Sequence, residues 1–212
     1  SRGLGDVYKR QSYTIGSSLL VVLAVALIGG TLGIVAGMLK GLKARFVGHI
    51  FDAFLSLPIL LIAIVISTLM EPSLLNAMFA TLLAILPYFI HAIYRAIQQE
   101  LKKDYVLMLK LEGIYNWELL KSTILPNITV IYVQEIARAF VVAILDISAL
   151  SFISLGAQRP TPEWGAMIRD SLELLYLAPW TVLLPGFAII FTILLSIIFS
   201  NGLTKAINQY YE

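Results

Sequence analysis

The sequence predicts an all-α membrane protein with five membrane-spanning helices. Hydrophobic residues make up 59% of the 212 residues and charged residues only 13%, whereas soluble domains carry roughly a quarter charged residues. The apolar residues also gather in runs, and about 20 apolar residues suffice to cross the hydrocarbon core as a helix. The five predicted spans are residues 17–39, 47–70, 74–97, 128–150 and 177–200.

The same composition excludes other classes of protein. A net charge of +2, with no basic cluster interleaved with aromatic residues, argues against nucleic-acid binding. The chain has no cysteine, which excludes disulfide bridges and thiol chemistry.

The start of the chain, residues 1–11, matches the translated end of a transposase-type sequencing adapter. Sequence of that origin is excluded from fold reasoning. We therefore expect residues 12–212 to be the transmembrane domain and the natural chain to begin further upstream. The alternative is a native polar loop.

Glycine and proline predict how the spans pack and bend. Gly29, Gly33 and Gly37 in the first span follow one another at four-residue spacing, so they share one helix face and permit close contact with a second helix. Pro58 and Pro87 lie inside the second and third spans, where a proline removes a helical hydrogen bond and favours a kink.

Lysine and arginine predict the orientation of the chain, because these residues are enriched in cytoplasmic loops. Outside residues 1–11, one side of the five-span topology holds only Arg159 and Arg169. The other side holds Lys40, Lys43, Arg45, Arg95, Lys102, Lys103, Lys110, Lys121 and Lys205. We therefore predict a cytoplasmic C-terminus and an outer loop at residues 151–176. The resulting outer start of the first span suggests a further helix upstream.

The longest polar interruption, residues 98–127, is predicted to dock another protein. Gly113 divides it into two helix-compatible stretches and supplies a hinge or a left-handed turn. Trp117, Leu120 and Ile124 follow at helical spacing, and such an apolar stripe suits a groove in a partner. The alternative is an interfacial helix that lies on the lipid headgroups.

Ionisable residues inside the fourth span form the second candidate site. Glu135, Arg138 and Asp146 share one stripe at 100° per residue, and Glu135 and Arg138 can pair at i,i+3. Ionisable groups in a span are costly and usually face a bundle interior or a water-filled path. The stripe is therefore either the lining of a translocation path or a clamp between helices.

No catalytic arrangement is visible in the sequence. The chain lacks the G-x-x-x-x-G-K-[ST] loop and the H-E-x-x-H motif, and its two histidines are isolated. We therefore expect no enzyme activity, no metal site and no cofactor bound by this chain.

The interruption resembles the cytoplasmic EAA loop of ABC importer permeases, whose pattern is E-A-A, three residues, G, nine residues, I, one residue, L-P. Gly113 and Leu125-Pro126 match in spacing, whereas residues 107–109 read Leu-Met-Leu and Thr123 stands at the isoleucine position. By this resemblance the ATPase-docking residues are Tyr105, Gly113, Ile114, Tyr115, Trp117, Leu120, Leu125 and Pro126.

A second block, residues 145–168, is similar to the E-A-x-L-S-F-L-G-L-G-x-x-P-P-x-P-x-W-G-x-M block of dipeptide and oligopeptide permeases. Asp146 takes the acidic position and residues 164–167 read Trp-Gly-Ala-Met. Within that family the chain resembles the Sap-type peptide permeases. The resemblance implies the type I ABC importer permease fold, with six spans of which five are visible here.

The resemblance also implies partners and a function. The partners are a second permease (SapB-like), two cytoplasmic ABC ATPases (SapD- and SapF-like) that use the ATP, a periplasmic peptide-binding protein and membrane lipid. The implied function is peptide transport across the bacterial inner membrane, including cationic antimicrobial peptides. Putrescine or polyamine export, or a scaffold that docks a partner without transport, are the alternatives.

Overall fold

The computed structural model describes the backbone of residues 2–39 and 42–211, and every regular element in these two ranges is helical. Lys40 lies outside the described residues. The side chains of residues 1–11, of Lys43 and of Arg45 also lie outside the described part of the structure. The predicted basic first loop and the nature of the first eleven residues therefore remain predictions.

The first span is one long helical run with a wider turn in its middle. It consists of α1 (Arg2–Ala24), a π-helical turn (Val25–Gly29) and α2 (Gly30–Gly37). The Tyr132 hydroxyl donates to the carbonyl of Ala26 inside the π-turn at 2.7 Å. The Gly30 amide also donates to this carbonyl, so Tyr132 adds a second hydrogen bond to it from another span.

The predicted second span is broken into α3 (Leu42–Leu55) and α4 (Ile59–Thr68). The helix axis turns by 82° at the break, which is far more than the kink predicted at Pro58. Pro58 has an extended backbone and precedes the first residue of α4, because its ring prevents the helical hydrogen bond that would continue α3.

The third span, α5 (Leu74–Glu100), continues through Pro87 without a break. It begins where the Ser73 hydroxyl accepts a hydrogen bond from the Asn76 amide at 3.1 Å, the usual geometry of an N-cap. Its C-terminal end extends one turn beyond the predicted boundary at residue 97, as far as Glu100.

The polar interruption folds into short helices that lead directly into the fourth span. These are α6 (Asp104–Leu111), α7 (Asn116–Leu119) and a π-helical turn (Leu120–Ile124), followed by α8 (Leu125–Phe152). Gly113 has a φ of +90° between α6 and α7, a conformation that favours glycine. The predicted hinge at Gly113 is therefore a left-handed turn.

The segment between α8 and the last span, which is the predicted outer loop, contains α9 (Trp164–Ser171) and a 3₁₀ turn (Leu172–Leu174). The last span, α10 (Trp180–Tyr211), follows. This helix extends eleven residues beyond the predicted boundary at residue 200, as far as Tyr211.

The core lies where the first, third and fourth spans meet. Its buried residues include Val25 from the first span, Ile93 and Ile97 from α5, and Ala143 and Ile147 from α8. Among the described residues, four helical runs are long and apolar enough to cross a membrane, and the bent α3–α4 pair makes a fifth if it is one span.

Candidate functional site

The loop between α5 and α8 presents one exposed apolar surface, here called the docking face: Leu107, Met108, Leu111, Tyr115 and Trp117. Leu111, Tyr115 and Trp117 are 88%, 82% and 73% exposed. Exposed apolar side chains gathered on a polar loop form a candidate binding surface. The docking face includes the two positions at which the EAA pattern has Glu and the first Ala.

The predicted apolar stripe of the loop does not stay on one surface. Trp117 points outward, whereas Leu120 and Ile124 are buried in the core. The helix widens to a π-turn at Leu120, so the 100° spacing used for the prediction does not hold there. The prediction that Leu120 contacts a partner is therefore wrong for this conformation.

The buried side of the loop anchors it to the bundle. Val106 in α6 and Leu119 in α7 have no exposed surface and pack into the same core as Ile128 of α8. Ile114 and Leu125, two of the predicted docking residues, are half-buried against that core, and Pro126 is half-buried in the first turn of α8. The loop therefore has an anchored side and a free side.

A polar cluster, here called the inner junction, lies beside this anchor and consists of Glu100, Tyr105 and Asn127. The Tyr105 hydroxyl donates to Glu100 Oε1. Asn127 Nδ2 donates to Tyr105 Oη at 2.7 Å and to Glu100 Oε1 at 3.1 Å. Lys103 Nζ lies 2.7 Å from Glu100 Oε2, so both carboxylate oxygens have partners.

The environment of Tyr105 keeps its hydroxyl protonated. Burial, followed by the hydrogen bond to Glu100 and the negative charge of that residue, raises the pKa of Tyr105 to about 12. The hydroxyl is therefore a donor at every physiological pH. Sequence reasoning singled out Tyr105 as a docking residue, whereas its hydroxyl is bonded within this chain, to Glu100 five residues earlier and to Asn127 22 residues later. The docking prediction therefore does not extend to the Tyr105 hydroxyl, and the contact with Asn127 is too distant along the chain for sequence spacing to reveal.

The fourth span places Glu135 and Arg138 on a cavity. Arg138 Nη1 lies 2.7 Å from Glu135 Oε1, which confirms the predicted i,i+3 pair. Both residues line a space of about 380 Å³ between α5 and α8. Its other polar lining residues are Tyr88, His91, Arg95 and Gln99 of α5. Ionisable groups inside a span usually face either a bundle interior or a water-filled path, and this pair faces a cavity.

Asp146 lies apart from this cavity. It is 5% exposed, and its Oδ2 has no hydrogen-bond partner among the described residues. It is not among the cavity-lining residues. The predicted stripe therefore divides: Glu135 and Arg138 face a cavity, whereas Asp146 is buried in the bundle.

The outer loop is attached to the spans by a buried carboxylate, Glu163. Ser148 Oγ of α8 and Thr14 Oγ1 of α1 donate to Glu163 Oε1 at 2.9 Å and 3.3 Å. The amide of Ala166 donates to Glu163 Oε2 at 3.0 Å, which caps α9. A Cβ on Gly165 would lie 2.0 Å from the carbonyl oxygen of Ser148, so α9 touches α8 directly.

Sequence reasoning did not identify Glu163 as a buried residue. An acidic residue three positions before an amide at a helix start is a capping signal, and that signal was present in the sequence. Metal ligation has no support in the described part of the chain, where no group of three acidic, histidine or cysteine side chains could hold an ion.

The chain is similar to inner membrane components of bacterial transport systems. Residues 29–211 match the family described as binding-protein-dependent transport system inner membrane component. The peptide transport system permease protein SapC of Haemophilus influenzae is 88% identical over 200 residues, which cover 94% of this chain and 68% of that protein. SapC of Escherichia coli O6:H1 is 46% identical over 194 residues, covering 92% and 66%.

A dipeptide relative is more distant. The dipeptide transport system permease protein DppC of Alkalihalophilus pseudofirmus is 34% identical over 207 residues, covering 96% of this chain and 68% of that protein. The chain thus spans about two thirds of the length of these relatives. Among solved structures, an inward-facing MetNI methionine ABC transporter matches with a TM-score of 0.76 at 12% identity, covering 92% and 93% of the two chains.

Proposed function

Because the chain belongs to the binding-protein-dependent transport system inner membrane components, and among them to the Sap-type peptide permeases, we propose that it forms part of a path for cationic peptides. These include antimicrobial peptides, and they cross the bacterial inner membrane from the outer to the cytoplasmic side. The ATP that drives this movement is hydrolysed by separate subunits.

The observation that carries this proposal is the docking face on an anchored loop. Exposed apolar groups such as Trp117 and Tyr115 suit the core of a protein interface, where large aromatic side chains supply much of the binding energy. The same loop is packed against the inner end of the bundle through Val106 and Leu119. A partner bound at the docking face can therefore move the spans.

The cavity supports transport over the scaffold alternative. A scaffold needs no charged space between two spans, and ionisable groups are costly in a membrane. Glu135 and Arg138 remain paired beside that space. The Glu135 carboxylate offers a counter-charge to a cationic substrate whenever Arg138 swings aside, and 71% of the Arg138 side chain is exposed.

The proposed complex has four other components. We assign the docking face to two cytoplasmic ATPases and the opposite end of the molecule to a periplasmic peptide-binding protein. A second permease subunit completes the path. In this arrangement the C-terminus of the chain lies in the cytoplasm, on the same side as the loop.

Copurification and transport test the proposal together. The full-length permease is co-expressed with the proposed partner permease and ATPases, purified, reconstituted in lipid vesicles and supplied with the proposed peptide-binding protein. We expect the ATPases to copurify and ATP hydrolysis to rise with a lysine-rich cationic peptide. Uptake of that peptide into right-side-out vesicles would support import, whereas response to putrescine alone would contradict the peptide proposal.

Two variants test the docking face. Trp117→Asp puts a charge in the apolar surface, and Gly113→Asp places a side chain at a φ of +90°. We expect each to weaken ATPase binding by about thirtyfold, since a buried aromatic anchor is commonly worth about 2 kcal/mol and every 1.4 kcal/mol is tenfold in affinity. Membrane insertion of the permease stays at the wild-type level.

Asn208→Asp is the matched control, because it adds the same charge at an exposed position of α10. We expect it to capture ATPase as the wild type does. Unchanged capture and unchanged ATP hydrolysis in both Trp117→Asp and Gly113→Asp would rule out the docking face as the ATPase contact.

A further inference from the structure

The inner junction joins α6 to the ends of two spans, α5 and α8. Glu100 is the last residue of α5, Tyr105 lies in the first turn of α6, and Asn127 is the third residue of α8. Tyr105 Oη donates to Glu100 and accepts from Asn127. The loop helix is thus hydrogen-bonded to both spans through one hydroxyl group.

The burial of Glu100 makes these bonds stronger than surface contacts. Glu100 is 5% exposed, and hydrogen bonds to an ionised, desolvated group are shorter and stronger than neutral ones. In a low dielectric, hydrogen bonds in a chain also polarise one another. Lys103 adds little, because its side chain is 55% exposed and exposed ion pairs are weak.

The loop is attached to the bundle by apolar packing and by the hydrogen bonds of the inner junction, and these two attachments have different effects. Apolar packing of Val106 and Leu119 holds the loop against the bundle, but hydrophobic contact is non-directional and lets α6 slide or rotate. Hydrogen bonds are directional, so the inner junction sets the angle of α6 relative to α5 and α8.

We propose that Glu100, Tyr105 and Asn127 are positioning residues that transmit movement from the docking face to α5 and α8. This inference rests on the proposed function, because it requires a partner that moves the loop. Its consequence is specific: without the Tyr105 hydroxyl the ATPases still bind, but their movement no longer reaches the spans that line the cavity.

Distance measurement between spin labels tests this without a transport substrate. The chain has no native cysteine, so Lys102→Cys and Asn208→Cys supply exposed label sites at the inner ends of α5 and α10. The labels are placed in the full complex with cysteine-free partner subunits. In the wild type, trapping with ATP and vanadate is expected to shift the distance between the labels.

Tyr105→Phe removes one hydroxyl group and keeps the aromatic ring. We expect it to retain wild-type amounts of copurified ATPase and to lose at least about half of the ATP-dependent shift, since the removed bonds involve a charged group. Asn127→Leu is expected to do the same. The double variant should lose no more than the larger single loss, because both substitutions break one network.

Tyr176→Phe is the matched control, since Tyr176 is 97% exposed in the outer loop and lies far along the chain from the junction. It should keep the full shift. A full shift in both Tyr105→Phe and Asn127→Leu would overturn the inference. Failure of the wild-type permease to capture ATPases would instead overturn the proposed function, so the two failures are distinguishable.

Discussion

Glu163 illustrates how single residues stabilise this membrane protein. Its carboxylate has no exposed surface and is surrounded by donors from α1, α8 and the first turn of α9. An ionisable group buried this way is tolerated only when its hydrogen bonds are made. Removing it leaves Ser148 Oγ and the Ala166 amide as buried donors without an acceptor.

We therefore expect Glu163→Ala to destabilise the protein. Each buried donor left unsatisfied costs about 1–3 kcal/mol, so thermal unfolding in detergent should occur about 5 °C lower than in the wild type. Glu173→Ala is the control, because Glu173 is exposed in the same outer loop. Equal unfolding temperatures for the two variants would show that Glu163 does not hold the loop.

The first span packs closely against α5 through its glycine residues. A Cβ on Gly33 would lie 2.8 Å from Ile93 Cβ, and one on Gly37 would lie 2.8 Å from Ile97 Cβ. These contacts confirm the close packing that the glycine spacing predicted. Two helices that meet through glycine bring their backbones close, and association within lipid depends on such packing.

Gly33→Ala and Gly16→Ala are expected to have opposite effects. Overpacking at Gly33 should cost about 1–3 kcal/mol. At Gly16 a Cβ meets nothing within 4 Å, so alanine should stabilise the helix by up to about 1 kcal/mol. Unfolding temperatures of the two variants in detergent measure the difference. A stabilising Gly33→Ala would mean that the two spans are further apart than described.

The loop between α5 and α8 has an exposed side and a buried side. The EAA-like spacing predicts where the loop turns, and Gly113 does turn there with its φ of +90°. It does not predict which side chains face outward. The π-helical turn at Leu120–Ile124 places the end of the stripe in the core, so the apolar side chains that stay exposed are Leu111, Tyr115 and Trp117 instead.

The whole molecule has the fold of type I ABC importer permeases, as the sequence predicted. The likeness to the inward-facing methionine transporter covers 92% of the chain despite 12% identity. Long helical runs and a bent pair account for the four or five spans of the described chain. The orientation of these spans is a prediction that rests on the distribution of lysine and arginine.

Single cysteines test that orientation directly, because the chain has none of its own. Lys205→Cys lies near the end of α10 and Glu173→Cys in the outer loop, both exposed. We expect an impermeant maleimide to label Glu173→Cys on intact spheroplasts and Lys205→Cys only after permeabilisation. Labelling of Lys205→Cys on intact spheroplasts would reverse the predicted topology.

The sequence by itself determined the class of protein, the approximate limits of the spans, the close face at Gly33 and the Glu135–Arg138 pair. These features depend on composition or on neighbours within two helical turns, where chain geometry alone sets the distances. The resemblance of its motifs to known permeases was also readable without coordinates, since spacing along the chain carries it.

Only the tertiary structure decided which of these residues act together. Glu100 meets Asn127 across 27 positions, and Thr14 meets Glu163 across 149. The tertiary structure also places Asp146 away from the cavity that Glu135 lines. Contacts of this kind depend on how helices cross and where π-turns shift their register, and no local pattern in the chain records those angles.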